Sequence, residues 1–221
     1  LMKTCEFVIE TLNCIFEACI IVFYLFLVMK KDYRYPLKFL AIPAVIFFSA
    51  IEAMTITQVN PWVKLIVILA LMMITAYIMF ESRVRSILFY CLMFIVVALA
   101  SEIMPVIALN LMNLGTDNNN FSTGTGRYIC MACSKLFSFW FAIYIAEYLK
   151  PKQREIPFRN WLLIIFVPLL SLIILNSIFI STELSPRRSL LYLLSVGGIF
   201  ILNIFVFDFF DTYSNTIKLQ L

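Results

Sequence analysis

Glu6, Glu10, Asn13 and Glu17 interrupt an apolar run near the start of the chain, at offsets of 4, 7 and 11 residues. On a helix turning about 100° per residue, those offsets fall within an arc of roughly 60°. Three carboxylates and an amide on one stripe can act in two ways. They glue the helix to its neighbours as a polar seam, or they form one wall of a cavity that receives cations and hydrogen-bond donors. Glu52, Glu102, Lys135 and Asn176 likewise sit inside apolar stretches. None of these groups composes a catalytic centre. The chain has no histidine, which removes hydrolases with a His base, His-ligated metals and any histidine phosphoacceptor within these residues. With only 5 glycines and no GxGxxG or GxxxxGK[ST] run, it has no phosphate-cradling loop either. No catalytic residue, cofactor or metal is expected.

The cysteines Cys5, Cys14, Cys19, Cys91, Cys130 and Cys133 lie mostly within apolar segments, where a thiol packs as a small hydrophobe. "CMAC" at 130–133 has CxxC spacing. Without a second pair or a histidine it is a weak metal or redox signal.

Composition decides what must hold these groups. Of 221 residues, 63% are hydrophobic and 14% charged, with 22 phenylalanines; no water-soluble domain of this size has so little polar surface. Crossing roughly 30 Å of hydrocarbon takes about 20 mostly apolar residues in a helix, because lipid offers no partner to backbone N–H and C=O groups. Windows of that length fall at 6–29, 39–56, 62–80, 86–112, 127–149, 161–181 and 188–207, numbered here as segments 1 to 7. The expected fold is an all-α integral membrane protein, a seven-helix transmembrane bundle. The count becomes six if segment 1, with its three glutamates, lies at the interface. Asn60 before Pro61 and Ser185 before Pro186 each place a capping side chain ahead of a proline at the first helical position.

Lys and Arg set the orientation, since short cytoplasmic loops hold the positive excess. Lys30, Lys31, Arg34 and Lys38 follow segment 1; Arg83 and Arg85 follow segment 3; Lys150, Lys152, Arg154 and Arg159 follow segment 5. The alternate loops "TQVN", "NLGTDNNNFSTGTG" and "TELSPRR" are poorer, Arg187 and Arg188 being the exception. The N-terminus is therefore expected outside and the C-terminus in the cytoplasm, in a multi-pass protein of the bacterial plasma membrane. The net charge of +4 is absorbed by these loops, and no nucleic-acid partner is implied. The opening residues "LMKTCEFVIETLNCIFE" place acids where a cleavable signal has its apolar core.

In this frame Glu10, Asn13 and Glu17 run from the outer surface toward mid-membrane. Glu52 and Asn176 lie about one turn from the outer ends of segments 2 and 6, and Glu102 and Lys135 lie two to three turns down in segments 4 and 5. A charge at bilayer depth costs at least a few kcal/mol and faces the bundle interior or a wet cavity. Glu102 and Lys135, on antiparallel neighbours, are therefore candidates for an ion pair. Acids and amides line the outer half and the inner half is nearly all apolar, which suits a receptor for something arriving from outside. Pro43, Pro105 and Pro168 are expected to kink or loosen segments 2, 4 and 6. Gly197 and Gly198 in segment 7 serve either close helix packing or a hinge.

"ESRVRS" feeding "ILFYCLMFIVVALASEIMPVI", then "RYICMACSKLFSFWFAIYI", then a basic loop to "NWLLIIFVPLLSLIIL", and an exit as "FDFFDTYSNTIKLQL" together resemble the membrane sensor half of Agr-type histidine kinases with a GHKL kinase domain. The resemblance covers essentially all 221 residues. Its marks are Glu102, Ser134 with Lys135, and Pro168 to Ser171, in that order. It implies a sensor that binds a secreted, often cyclic, peptide from outside and controls a dimeric cytoplasmic kinase and its response regulator. The kinase, its phosphoacceptor and its ATP site are not in these residues.

Two parts are then expected: a transmembrane sensor domain over 1–207 and a cytoplasmic signalling helix over 208–221 that leads to the kinase. Val206, Phe210, Tyr213, Ile217 and Leu221 keep offsets of 4, 7, 11 and 15, so an apolar stripe continues past the membrane. A two-helix coiled coil in a homodimer requires such a stripe, and an amphipathic end lying on the membrane surface would show one too. Gly197, Gly198, Phe210, Tyr213 and Ile217 are the candidate transmission residues. Glu10, Asn13, Glu17, Glu52, Glu102, Lys135 and Asn176 are the candidate ligand contacts. The rival class is a small transporter or permease coupling through Glu52, Glu102 and Lys135.

Overall fold

A computed structural model describes residues 2–29, 35, 37–81, 84–111, 125–148, 158–180, 190–199, 201–203 and 205. The elements among them are helices: α1 Met2–Met29, a 3-10 turn at Leu37–Leu40, α2 Ala41–Ile56, α3 Pro61–Met79, α4 Val84–Leu111, α5 Thr125–Tyr148 and α6 Phe158–Ile180. A further apolar helical stretch, α7, runs Leu190–Asn203. No strand occurs among the described residues. Among the described residues, four helices are long and apolar enough to cross a membrane, over Phe7–Met29, Lys38–Ile56, Pro61–Met79 and Val84–Leu109.

The local chemistry explains several boundaries. Asn60 caps α3 as its sequence requires, its Oδ1 accepting from the Trp62 N–H at 2.9 Å with Pro61 in the first turn. Between α2 and α3 the Thr57 N–H bonds to the Ala53 carbonyl at 3.0 Å, and Gln58 takes the left-handed φ of 48° that turns the chain. Pro105 and Pro168 lie inside α4 and α6. Pro43 does not lie mid-helix as expected. It is the third residue of α2, where its missing N–H removes no intrahelical bond. The Ser185–Pro186 cap and the tail from 206 onward fall outside the described residues.

The chain divides into two compact units, Leu1–Cys91 with Phe139–Pro151, and Leu92–Ser138 with Lys152–Leu221. In the first, Ile21, Tyr24 and Leu25 of α1, Phe47 and Ile51 of α2, and Met72 and Ala76 of α3 are buried. The Tyr24 hydroxyl donates to the Tyr90 carbonyl at 3.0 Å, and Phe23 stacks on Phe139 with ring centroids 5.5 Å apart. In the second unit, Leu92 through Val97 of α4 are all buried. Six consecutive buried residues cover every side of a helix, the signature of a central element.

Candidate functional site

Polar residues of α1 and α2 meet in the first unit. Thr11 and Cys14 stand one turn apart on α1, Glu52 and Thr55 one turn apart on α2, and they touch along the two diagonals of this square. Thr11 Oγ1 donates to Glu52 Oε1 at 3.2 Å, and Cys14 Sγ lies 4.0 Å from Thr55 Oγ1. Thr55 also donates to its own Ile51 carbonyl at 2.8 Å, the usual way a threonine satisfies itself within a helix. The second carboxyl oxygen of Glu52, Oε2, is buried and has no hydrogen-bond partner among the described residues.

The α1 stripe lies on the inward side. Glu10, Asn13 and Glu17 are each partly buried, while Val8, Leu12, Ile15, Phe16 and Phe23 are exposed. The centres of these two sets lie about 140° apart around the helix axis at 100° per residue. Large apolar side chains thus take the outer arc and the acids turn inward. The Glu6 side chain lies outside the described residues, as does that of Asn176.

In the second unit Lys135 Nζ lies 3.5 Å from Glu102 Oε1, with side chains 14% and 38% exposed respectively. The neighbouring contact joins buried Ser101 and Ser138 hydroxyl to hydroxyl. Moving one residue up α4, from Ser101 to Glu102, goes with moving three down α5, from Ser138 to Lys135, as antiparallel helices require. Ser134 is buried one turn from Ser138 and donates to the Met131 carbonyl at 2.9 Å. Small hydroxyl residues one turn apart let two helix backbones approach closely, and this brings the Lys135 ammonium within reach of Glu102.

A further polar pair links α6 and α7. The Asn203 amide donates to Ser171 Oγ at 2.8 Å and to the Ile199 carbonyl at 2.8 Å. Asn203 is 2% exposed, and its Oδ1 has no partner among the described residues. Gly197 and Gly198 do not serve close packing within the described residues: a Cβ added at either would meet nothing within 4 Å. Phe210, Tyr213 and Ile217 lie outside the described residues. No group of three or more metal-ligating side chains occurs among the described residues.

Sequence reasoning passed over Thr11, Thr55, Ser101, Ser138 and Asn203. The signal for the serines was present in the spacing of Ser134 and Ser138 on α5, four residues apart opposite Ser101. Thr11 gave no such signal, lying about 130° around the helix from the centre of the stripe. No family model, curated protein or solved structure matches this chain.

Proposed function

We propose that this chain is the sensor domain of a membrane receptor of the histidine-kinase type, binding a peptide-like signal from outside the cell and passing a conformational change through its last helix. In this reading segments 1 to 7 all cross the bilayer, the N-terminus is outside, and the chain works as a homodimer ahead of a cytoplasmic kinase and response regulator. The observation that carries it is the Glu52 carboxyl. One oxygen is held by Thr11 and the other is buried without a partner among the described residues, beside an inward-turned stripe of Glu10, Asn13 and Glu17. An unmet acceptor in a region of low dielectric is costly until a donor arrives. A cationic or N–H-bearing group of a signal supplies that donor. The α1–α2 square is then the part that registers occupancy, because a ligand bonded to Glu52 competes with the Thr11 hydroxyl.

The rival reading, a small permease, draws on a different contact. The Glu102–Lys135 pair sits inside the helical unit, and ion pairs at depth also serve coupled transport.

The test uses the chain in lipid nanodiscs challenged with fractionated secreted peptides from bacterial culture medium. The sensor reading expects one fraction to raise the thermal unfolding temperature of the wild-type chain and not that of the Glu10→Gln, Glu52→Gln variant. Accumulation of a solute against its gradient in reconstituted vesicles overturns the sensor reading and establishes the permease.

A further inference from the structure

Cys130 and Cys133 take no part in the contacts described so far. Both are free thiols, both are partly buried, and both lie near the start of α5. Three residues apart on an α-helix, their Cα atoms are about 5 Å apart by helix geometry, inside the roughly 4.4–6.8 Å that a disulfide spans. Their Cβ atoms, about 5–6 Å apart in a regular helix, must close to about 3.5–4.5 Å. Tightening one helical turn supplies that movement. The closed form therefore carries strain, and strained disulfides are the reducible ones.

Their place on the helix makes them reachable. At about 1.5 Å rise per residue they stand roughly 5 and 9 Å along the axis from Arg127, one to two turns from the polar end of α5. At about 100° per residue they fall about 20° and 40° to either side of exposed Phe137, Cys130 also lying about 40° from buried Ser134 and Cys133 about 40° from exposed Ile129. Both side chains are partly exposed.

We propose that Cys130 and Cys133 are a vicinal dithiol that exchanges with low-molecular-weight disulfides and closes reversibly into an intrahelical disulfide. In the first step the thiolate of one cysteine attacks a sulfur of the small disulfide, forming a mixed disulfide and expelling one small thiolate. In the second the other cysteine attacks the cysteine sulfur of that mixed disulfide, forming the Cys130–Cys133 bond and expelling the second small thiolate. The two cysteines are oxidised by two electrons, the small disulfide is reduced to two thiols, and the two protons lost by the cysteines end on those thiols.

The sequence supplies its own assay. Trypsin cuts after Arg127 and Lys135, releasing peptide 128–135, "YICMACSK", which holds these two cysteines and no other. The whole chain in nanodiscs is equilibrated with graded ratios of reduced to oxidised glutathione, quenched in acid, alkylated with N-ethylmaleimide and digested. As the buffer becomes oxidising, the peptide should pass from doubly alkylated to unalkylated and two hydrogens lighter, and dithiothreitol should restore it. In Cys133→Ser the same treatment should leave a lasting glutathione adduct on Cys130. Three results overturn the proposal: a wild-type peptide carrying two glutathiones, a peptide cross-linked to another cysteine of the chain, or a peptide that stays doubly alkylated in fully oxidised buffer although the denatured chain closes.

Discussion

Asn203 holds Ser171 across α6 and α7 through a 2.8 Å hydrogen bond, and in doing so leaves its own Oδ1 buried without a partner among the described residues. The asymmetry makes a prediction. Ser171→Ala removes one acceptor from a buried amide and should destabilise the chain by about 0.5–1.5 kcal/mol. Adding Asn203→Leu removes both the stranded donor and the orphan oxygen, so the double variant should regain most of that loss. Unfolding in detergent or bicelles measures both. A double variant less stable than Ser171→Ala alone would mean that the asparagine is bonded to something else.

Glu102 and Lys135 should behave as a coupled pair. Glu102→Gln or Lys135→Gln alone removes one side of this contact, whereas the double variant removes both, so the losses should be non-additive by about 0.5–3 kcal/mol. The same unfolding assay completes the cycle. Strict additivity would mean that the 3.5 Å contact contributes nothing.

Glu52→Gln keeps an acceptor for Thr11 but changes the charge and the hydrogen-bonding sense of the oxygen that lacks a partner. Signal response should weaken at unchanged expression, and Glu10→Gln should add to the loss. A kinase-linked reporter reads this directly. Full response in both single variants and in the double would take these carboxylates out of the binding site.

Among the described residues a Cβ at Gly197 or Gly198 meets nothing within 4 Å, so alanine fits at either. Gly198→Ala should raise thermal stability by about 0.5–1 kcal/mol, because it lowers the entropy of the unfolded chain and favours the helix. If the pair is a hinge, signal output should fall while stability rises. Output unchanged in the stabilised variant would show that α7 moves as a rigid rod.

The tail gives a phase test. If the tail continues α7 as a helix, each residue inserted between Phe210 and Asp211 turns everything below by about 100°. One alanine should move the stripe of Tyr213, Ile217 and Leu221 off a dimer seam, and four should nearly return it, about 40° past a full turn. On the proposed sensor reading, the basal activity of a kinase joined after the tail should cycle with insertion length. A steady decline would mark the tail as a tether.

What could be read from the sequence was whatever repeats with a helical period. The α1 stripe was visible because its spacing alone places Glu10, Asn13 and Glu17 on one side, and the apolar windows marked the helices to within a few residues. Glu102 and Lys135 drew notice because each alone is too costly at depth to stand unpaired. Thr11, Ser101 and Ser138 carry no such warning, since a hydroxyl in a helix satisfies itself on a carbonyl one turn back and its second bond depends on a neighbour. Asn203 sits in an apolar run that names no partner for it. Pro43 was misplaced for a related reason: a proline's effect depends on where its helix begins, and the 3-10 turn at Leu37–Leu40 moved that start by a few residues.

The burial of α4 on every side also bears on how the protein is made. A ribosome adding roughly 5–20 residues per second completes α4 seconds before the whole of α5, so Leu92–Val97, buried in the second unit, and Glu102 are first made without the helix that carries Lys135. Assembly is complete only when α5 slides its serines along α4 and delivers Lys135. Chains interrupted between the two helices would carry Glu102 without the Lys135 that lies 3.5 Å from it in the complete fold.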